Sequence, residues 1–306
     1  PSLFLTLTGC ARGGEEENDS PYVYETQFHS PEGGVEGFTV SGDSVYYSTF
    51  DGEFYQWTPG GEARKLDIAP FTIEADHRLL QADYRLLQAD HQGNLYVFYS
   101  VPNPLKPDFR YLVKYDAAGK ELAKQNVSLL TSQFVPYEMA ADGEGRLYLK
   151  GGDKLLQFDG ECDYVGVVEA PEGEYPSWLA GDAAGHVYCS LYDTQDNGII
   201  REVVCGGEAS GDSQGGSPQD SQTASFGNPL GEARLGNYLA AYGENRFLTY
   251  GNNALYLYDL TSNTLTLLLQ WANCDIDPDS VERIATLADG RIVLRFEEEQ
   301  GTGELA

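Results

Sequence analysis

The chain is poor in basic residues, histidine and methionine. Its 306 residues include 19 Lys and Arg against 48 Asp and Glu, a net charge of −29, with only 4 His and 1 Met. A surface this negative repels nucleic-acid phosphates and anionic lipid heads, so nucleic acid is set aside as a partner. Among the 5 Cys there is no CxxC pair and no Cys/His cluster at metal-ligand spacing, which argues against a structural zinc site. No metal and no cofactor is expected. There is no GxSxG elbow, no phosphate-binding loop and no SxDxGxTW box, so the catalytic signatures that would mark an enzyme are missing. Nor is there helical periodicity of useful length.

Two weaker features also yield little chemistry. The stretch CDIDPD (274–279) offers Asp275, Asp277 and Asp279 at alternating positions. However, Pro278 intrudes, no glycine follows, and Thr286 stands where a Ca²⁺ loop needs its last glutamate, so a solvated loop is expected. Cys162, Cys189, Cys205 and Cys274 allow three full pairings, and buried free thiols are as compatible with the pattern as disulfides.

Tyrosine is abundant, 21 residues in a chain that is 12% aromatic, and its apolar body with a polar tip suits half-exposed strands. The chain also repeats itself. PYEMAADGEGRLY (136–148) and PSWLAGDAAGHVY (176–188) share Pro, Ala, Asp, Gly, an aliphatic residue and Tyr at matching offsets. Four further stretches follow the same plan: GFTVSGDSVYY (37–47), LLQADHQGNLYV (86–97), YLAAYGENRFLT (238–249) and RIATLADGRIVL (283–294). Each reads strand, tight turn, strand, the turn carrying Gly, Asn or Asp where the backbone needs positive φ. A third run such as LVKYD (112–116) and often a fourth such as YVGVV (164–168) come next. Four short strands per unit describe a propeller blade.

The expectation is therefore an all-β, six-bladed β-propeller of four-stranded antiparallel blades over residues 22–306. The lone alternating strand YVYETQF (22–28) would close the last blade and hide its edge. The chain stops at GTGELA, where the sixth unit should begin its third strand, so a truncated C-terminal end is expected. A low-complexity insertion (206–229) is expected to be disordered. RLLQAD occurs twice, at 78–83 and 85–90. Only the second copy is needed for a blade, and the first is expected as a loop or short helical turn. His91 and His186 fall beside hairpin turns and read as exposed turn residues.

At the N-terminus PSLFLTLTGC is an apolar stretch ending in Leu7-Thr8-Gly9-Cys10, and polar residues 11–20 come after it. The tetrapeptide resembles a bacterial lipobox, in which a peptidase cuts before the cysteine and the thiol carries diacylglycerol. Residues 1–9 would then be the remnant of a signal peptide, and residues 10–21 the lipidated Cys10 and its tether, the only membrane contact. The repeats resemble those of bacterial secreted propellers of the TolB-like and NHL-like kind. With the lipobox, the chain resembles the N-terminal propeller of Gram-positive surface lipoproteins that carry an extracellular solute-binding domain. That resemblance implies an extracellular, membrane-anchored, monomeric protein, with a solute-binding domain or transporter as partner.

The start of each innermost strand should lie near the mouth of the propeller channel. Those positions are Glu36, Leu86, Glu138, Trp178, Tyr238 and Arg283, with Tyr137, Tyr175 and Trp271 in nearby loops. Aromatic rings with a few acids and an arginine suit a carbohydrate or peptide ligand, held by stacking and hydrogen bonds. The same large side chains could instead plug the channel. The expected function is non-enzymatic binding linked to solute capture. The alternatives are a propeller lyase or glycosidase, favoured by paired carboxylates across the mouth, or a structural spacer.

Overall fold

The computed structural model describes residues 2–9, 22–29, 34–75, 78–103, 107–132, 134–182, 184–205, 223–232, 240–243, 245–251, 254–271 and 281–297. Among these the regular structure is entirely β. The chain begins with β1 (Ser2–Gly9) and β2 (Tyr22–His29). Blade 1 consists of β3 (Val35–Ser41), β4 (Ser44–Thr49), β5 (Phe54–Trp57) and β6 (Arg64–Lys65). A two-stranded hairpin comes next, β7 (Thr72–Ala75) and β8 (Arg78–Gln81). Blade 2 is β9 (Tyr84–Ala89), β10 (Leu95–Val101), β11 (Phe109–Tyr115) and β12 (Glu121–Asn126). Blade 3 is β13 (Glu138–Ala141), β14 (Leu147–Gly151), β15 (Lys154–Phe158) and β16 (Tyr164–Val167). Blade 4 is β17 (Glu174–Gly181), β18 (Val187–Asp193), β19 (Gly198–Val204) and β20 (Ser225–Glu232). Blade 5 is β21 (Ala240–Ala241), β22 (Arg246–Gly251), β23 (Ala254–Asp259) and β24 (Thr264–Gln270). The last strands are β25 (Val281–Thr286) and β26 (Ile292–Glu297).

Each of these five blades is an antiparallel sheet of four consecutive strands, the first innermost. The sequence predicts a six-bladed ring whose last blade is closed by residues 22–28; five blades are built from four consecutive strands, and residues 22–28 form the outermost strand of the remaining sheet. The sixth repeat supplies only β25 and β26, and their sheet is completed from the other end of the chain in the order β2-β1-β26-β25. β1 therefore fills the third-strand position that the sequence left empty. Residues 2–9, expected as a leader remnant, form a strand paired along its length with β26, Ser2 opposite Glu297 and Leu7 opposite Ile292. An alternating apolar run satisfies a sheet edge whatever its other uses, which is why the sequence pattern did not distinguish the two.

The first RLLQAD copy also differs from expectation. It is β8, a strand paired with β7, and the second copy is β9. The two copies are told apart by their C-terminal neighbours. Asp90 closes into a turn whose Gly93 has φ +80°, whereas the residues after Asp83 offer no glycine for that turn.

The recurrent Asp-x-x-Gly-x-aliphatic-Tyr phrase has a direct physical cause. Asp142 Oδ1 accepts the backbone N–H groups of Glu144 and Arg146, and its Oδ2 accepts Arg146 Nε and the Tyr148 hydroxyl. Asp182 does the same with Ala184 and His186, and its Oδ2 meets His186 Nδ1 and the Tyr188 hydroxyl. Asp90 repeats the arrangement with Gln92 and Asn94. The aspartate thus holds donors that the tight turn leaves free, and the glycine supplies positive φ. Tyr96 ties one blade to the next, its hydroxyl donating to the Gly145 carbonyl at 2.8 Å.

Among the described residues, apolar burial is divided among six clusters, each lying between neighbouring sheets. Blades 1 and 2, for example, share Tyr46, Phe54, Leu95, Val97 and Tyr99. Blade 1 meets the composite sheet through Val35, Phe38 and Val45 against Leu287 and Val293. Every residue of β10 is buried, because both faces of a blade are covered by its neighbours. Cys162, Cys189 and Cys205 are free thiols. Cys274, the Asp275–Asp279 stretch, and residues 206–222 of the low-complexity insertion lie outside the described residues, and residues 225–229 of that insertion, expected to be disordered, begin strand β20, whose backbone groups pair with β19.

Candidate binding channel

The innermost strands surround a channel of about 870 Å³. β3, β9, β13, β17, β21 and β25 all contribute to its wall, through residues such as Phe38, Leu86, Met139, Leu179, Ala241 and Ile284. Glu36, Glu138, Trp178 and Arg283, expected at the mouth from their offset to the turn, line it together with Tyr137, expected there in a nearby loop. The offset works because each residue of an extended strand advances the chain by a fixed rise, so equal counts from equal turns reach equal depth.

Other expected residues fall elsewhere. Trp271 is fully buried and packs with Leu248, Leu269 and Val281. It comes directly after the outermost strand of blade 5, its indole fills the space between two sheets, and it does not line the channel. Tyr175 sits opposite Tyr192 near the start of β17, half exposed and outside the channel lining. Tyr238 and Cys10 lie outside the described residues.

The mouth holds buried charge. Glu138 is buried on β13 and accepts the backbone N–H of Leu179, on the neighbouring blade, at 3.0 Å. Burial pushes its carboxyl up to about 8, against the opposing pull of Arg283, Lys150 and the Leu179 N–H. Loss of water thus outweighs two nearby cations. Lys150, Glu138's cross-strand partner, is fully buried. Its ammonium hydrogen-bonds the Tyr137 hydroxyl and the Gly152 carbonyl, and lies 4.0 Å from the Tyr137 ring centroid. Arg283 faces the Phe38 ring at 5.9 Å. Its cross-strand partner Arg295 is buried and donates to the carbonyls of Val35 and Glu36 at 2.6 and 3.0 Å, bridging the composite sheet to blade 1. The Trp178 backbone N–H donates to Ser190 Oγ, again directly across its hairpin.

Lys150, Ser190 and Arg295 were missed from the sequence. The available signal was the hairpin itself: counting outward from each turn along the second strand reaches the partner of each mouth residue. The far end of the channel is lined by Asp90, His91, Asp142, Asp182, Tyr242, Arg246 and Asp289. There the carboxylates of Asp90, Asp142 and Asp182 are engaged in their own turns. Among the described residues no group of His, Cys, Asp or Glu is arranged to hold a metal ion.

Four-stranded antiparallel blades arranged around such a channel make the chain a β-propeller. No family model matches it, and no curated protein matches it. Among solved structures it is similar to streptogramin B lyase, at 12% identity and a TM-score of 0.45 over 88% of this chain and 95% of that one. It is similar to the apo form of the soluble aldose sugar dehydrogenase from Escherichia coli, at 9% identity and a TM-score of 0.47 over 86% and 96%. It is also similar to human WBSCR16, at 7% identity and a TM-score of 0.49 over 93% and 84%. Likenesses this distant carry no information on activity, substrate or partner.

Proposed function

We propose that this chain is a non-enzymatic binding module, a six-bladed propeller in which the composite sheet counts as the sixth blade. The count is supported by β25, whose neighbours along the inner wall are β21 on one side and β3 on the other. The ligand, a sugar or peptide, enters from the rim that carries Trp178 and Tyr137. The observation that carries this reading is the open channel of about 870 Å³ with Glu36, Glu138, Trp178 and Arg283 converging on it. That volume suits a small ligand, and the lining offers an apolar ring face beside a few polar groups. A filled channel would have favoured the spacer reading. Arrays of glycans and peptides, probed with the wild type and with Trp178→Ala, test it. Binding by the wild type that falls about tenfold or more in the variant is expected, from loss of the indole contact. No binding, or binding indifferent to the substitution, overturns it.

One observation favours an enzymatic alternative. A carboxyl held protonated near neutral pH, as burial holds Glu138, is the form that a general acid requires. Array ligands that are cleaved by the wild type and merely bound by Glu138→Gln would select that alternative.

The chain is further proposed to be a lipoprotein anchored outside the cell through Cys10, alongside a solute-binding domain or transporter. The tetrapeptide Leu7-Thr8-Gly9-Cys10 and the polar residues behind it support this. Cleavage before Cys10 would also take β1 out of the composite sheet, so one molecule cannot be both cleaved there and closed by β1. The mass of the N-terminal peptide from the native producer decides between them.

A further inference from the structure

Large apolar side chains exposed to water are unevenly placed on this propeller. In each blade the first strand runs away from the mouth, so the loops between blades and the turns between second and third strands gather on the mouth rim. Phe50, Leu79, Leu129, Val135, Tyr137 and Tyr175 all lie on that rim, and Leu129 is 91% exposed. The other large exposed hydrophobics, Leu122, Tyr164, Leu230 and Leu267, are scattered singly on outermost strands. Of these, Leu122 and Tyr164 begin strands beside turns of the opposite rim, which is otherwise built from the aspartate turns and carries two against the mouth rim's six. Single exposed hydrophobics need no explanation, but their concentration on one face does.

The apolar residues are interspersed with exposed acids. Asp51, Asp83, Asp153 and Glu172 stand on the same rim, where Arg78, Lys154 and Lys65, the last paired with Glu53, are the exposed bases among the described residues. Leucine and valine gain little from a sugar ring and much from other aliphatic groups. The acids, on a chain of net charge −29, favour a cationic counterpart.

We propose that the mouth rim is a docking surface for a segment of a partner protein in which apolar side chains alternate with Lys or Arg. This deepens the binding-module reading by naming a peptide as its partner, yet it places the main contacts on the rim and not inside the channel. The strand-like alternation is favoured because apolar and acidic groups are mixed around the rim and not set in separate sectors.

The test measures fluorescence anisotropy at physiological ionic strength with a labelled peptide of alternating leucine and lysine, and a matched peptide of serine and lysine. Binding partners are the wild type, the rim variant Leu129→Ser/Val135→Ser, the opposite-rim control Glu161→Ser, and Trp178→Ala. Leu129 and Val135 are exposed, so their substitution leaves the core intact. The leucine–lysine peptide is expected to bind the wild type and the Glu161→Ser control alike, and to weaken about tenfold or more in the rim variant, from loss of two apolar contacts. The serine–lysine peptide is expected to bind at least about tenfold more weakly than its leucine counterpart. Equal binding of the two peptides would mean charge attraction alone and would overturn the proposal, as would an unchanged rim variant or an absence of saturable binding. A loss confined to Trp178→Ala would return the peptide to the channel, overturning the rim while leaving the channel reading standing. Rim binding with an indifferent Trp178→Ala does the reverse.

Discussion

Replacing Glu138 by glutamine should change how stability depends on pH. Glu138 is 8% exposed, and burial raises its carboxyl from 4.5 to about 8. The folded protein therefore keeps this proton over a range in which the unfolded chain has already released it. Unfolding within that range releases a proton, so stability falls as pH rises from 4.5 to about 8 and then stays level. The full effect is about 5 kcal/mol at order-of-magnitude precision, or about 1.4 kcal/mol per pH unit while it develops. Glutamine can still accept the Leu179 N–H but carries no proton to lose. Urea unfolding of both proteins at pH 5, 7 and 9 isolates this group from the many other carboxylates, which contribute equally to each. Relative to wild type, Glu138→Gln should gain stability steadily between pH 5 and about 8. A difference that stays flat, or that shrinks as pH rises, would refute the reasoning and would mean that Arg283 and Lys150 keep the carboxylate ionised.

Three further substitutions test the turns and the joints between blades. At Gly185 φ is +90°, and an added Cβ would lie 2.2 Å from the Gly143 Cα on the neighbouring turn. Gly185→Ala should therefore cost about 3 kcal/mol and lower the melting temperature by about 5–10 °C. Gly93→Ala has a similar φ of +80° but a nearest neighbour at 3.4 Å, so it should cost only about 1 kcal/mol in the same melt. Tyr96→Phe removes the hydroxyl that donates to the Gly145 carbonyl between blades 2 and 3. A loss of about 1–2 kcal/mol in urea unfolding is expected from the stranded buried carbonyl.

Much of the channel was legible from the sequence because its geometry is set by counting. The doubled phrase marks two equivalent turns, and a fixed rise per residue carries Glu138 and Trp178 to the same depth on adjacent blades. Lys150 and Arg295 were less visible. Lysine and arginine on a strand read as solvent-facing residues, and only pairing with Glu138 and Arg283 across the hairpin shows that they are buried. Trp271 misled for the opposite reason. A tryptophan in a loop near the mouth resembles a ligand platform, but whether its ring turns outward or into the joint between two sheets depends on how those sheets pack.

The sequence by itself determined the hairpins. Asp142, Gly145 and Tyr148 hold one another within a span of seven residues, and chemistry that local is written wherever its letters recur. Only the tertiary structure decided how the propeller is completed. The sheet that joins the chain's ends draws β1 and β2 beside β25 and β26, and Arg295 bonds the carbonyl of Val35, 260 positions away. No local pattern encodes which distant strand fills an open edge. That choice is made by unpaired backbone groups and uncovered apolar faces, which exist only once the other blades are in place.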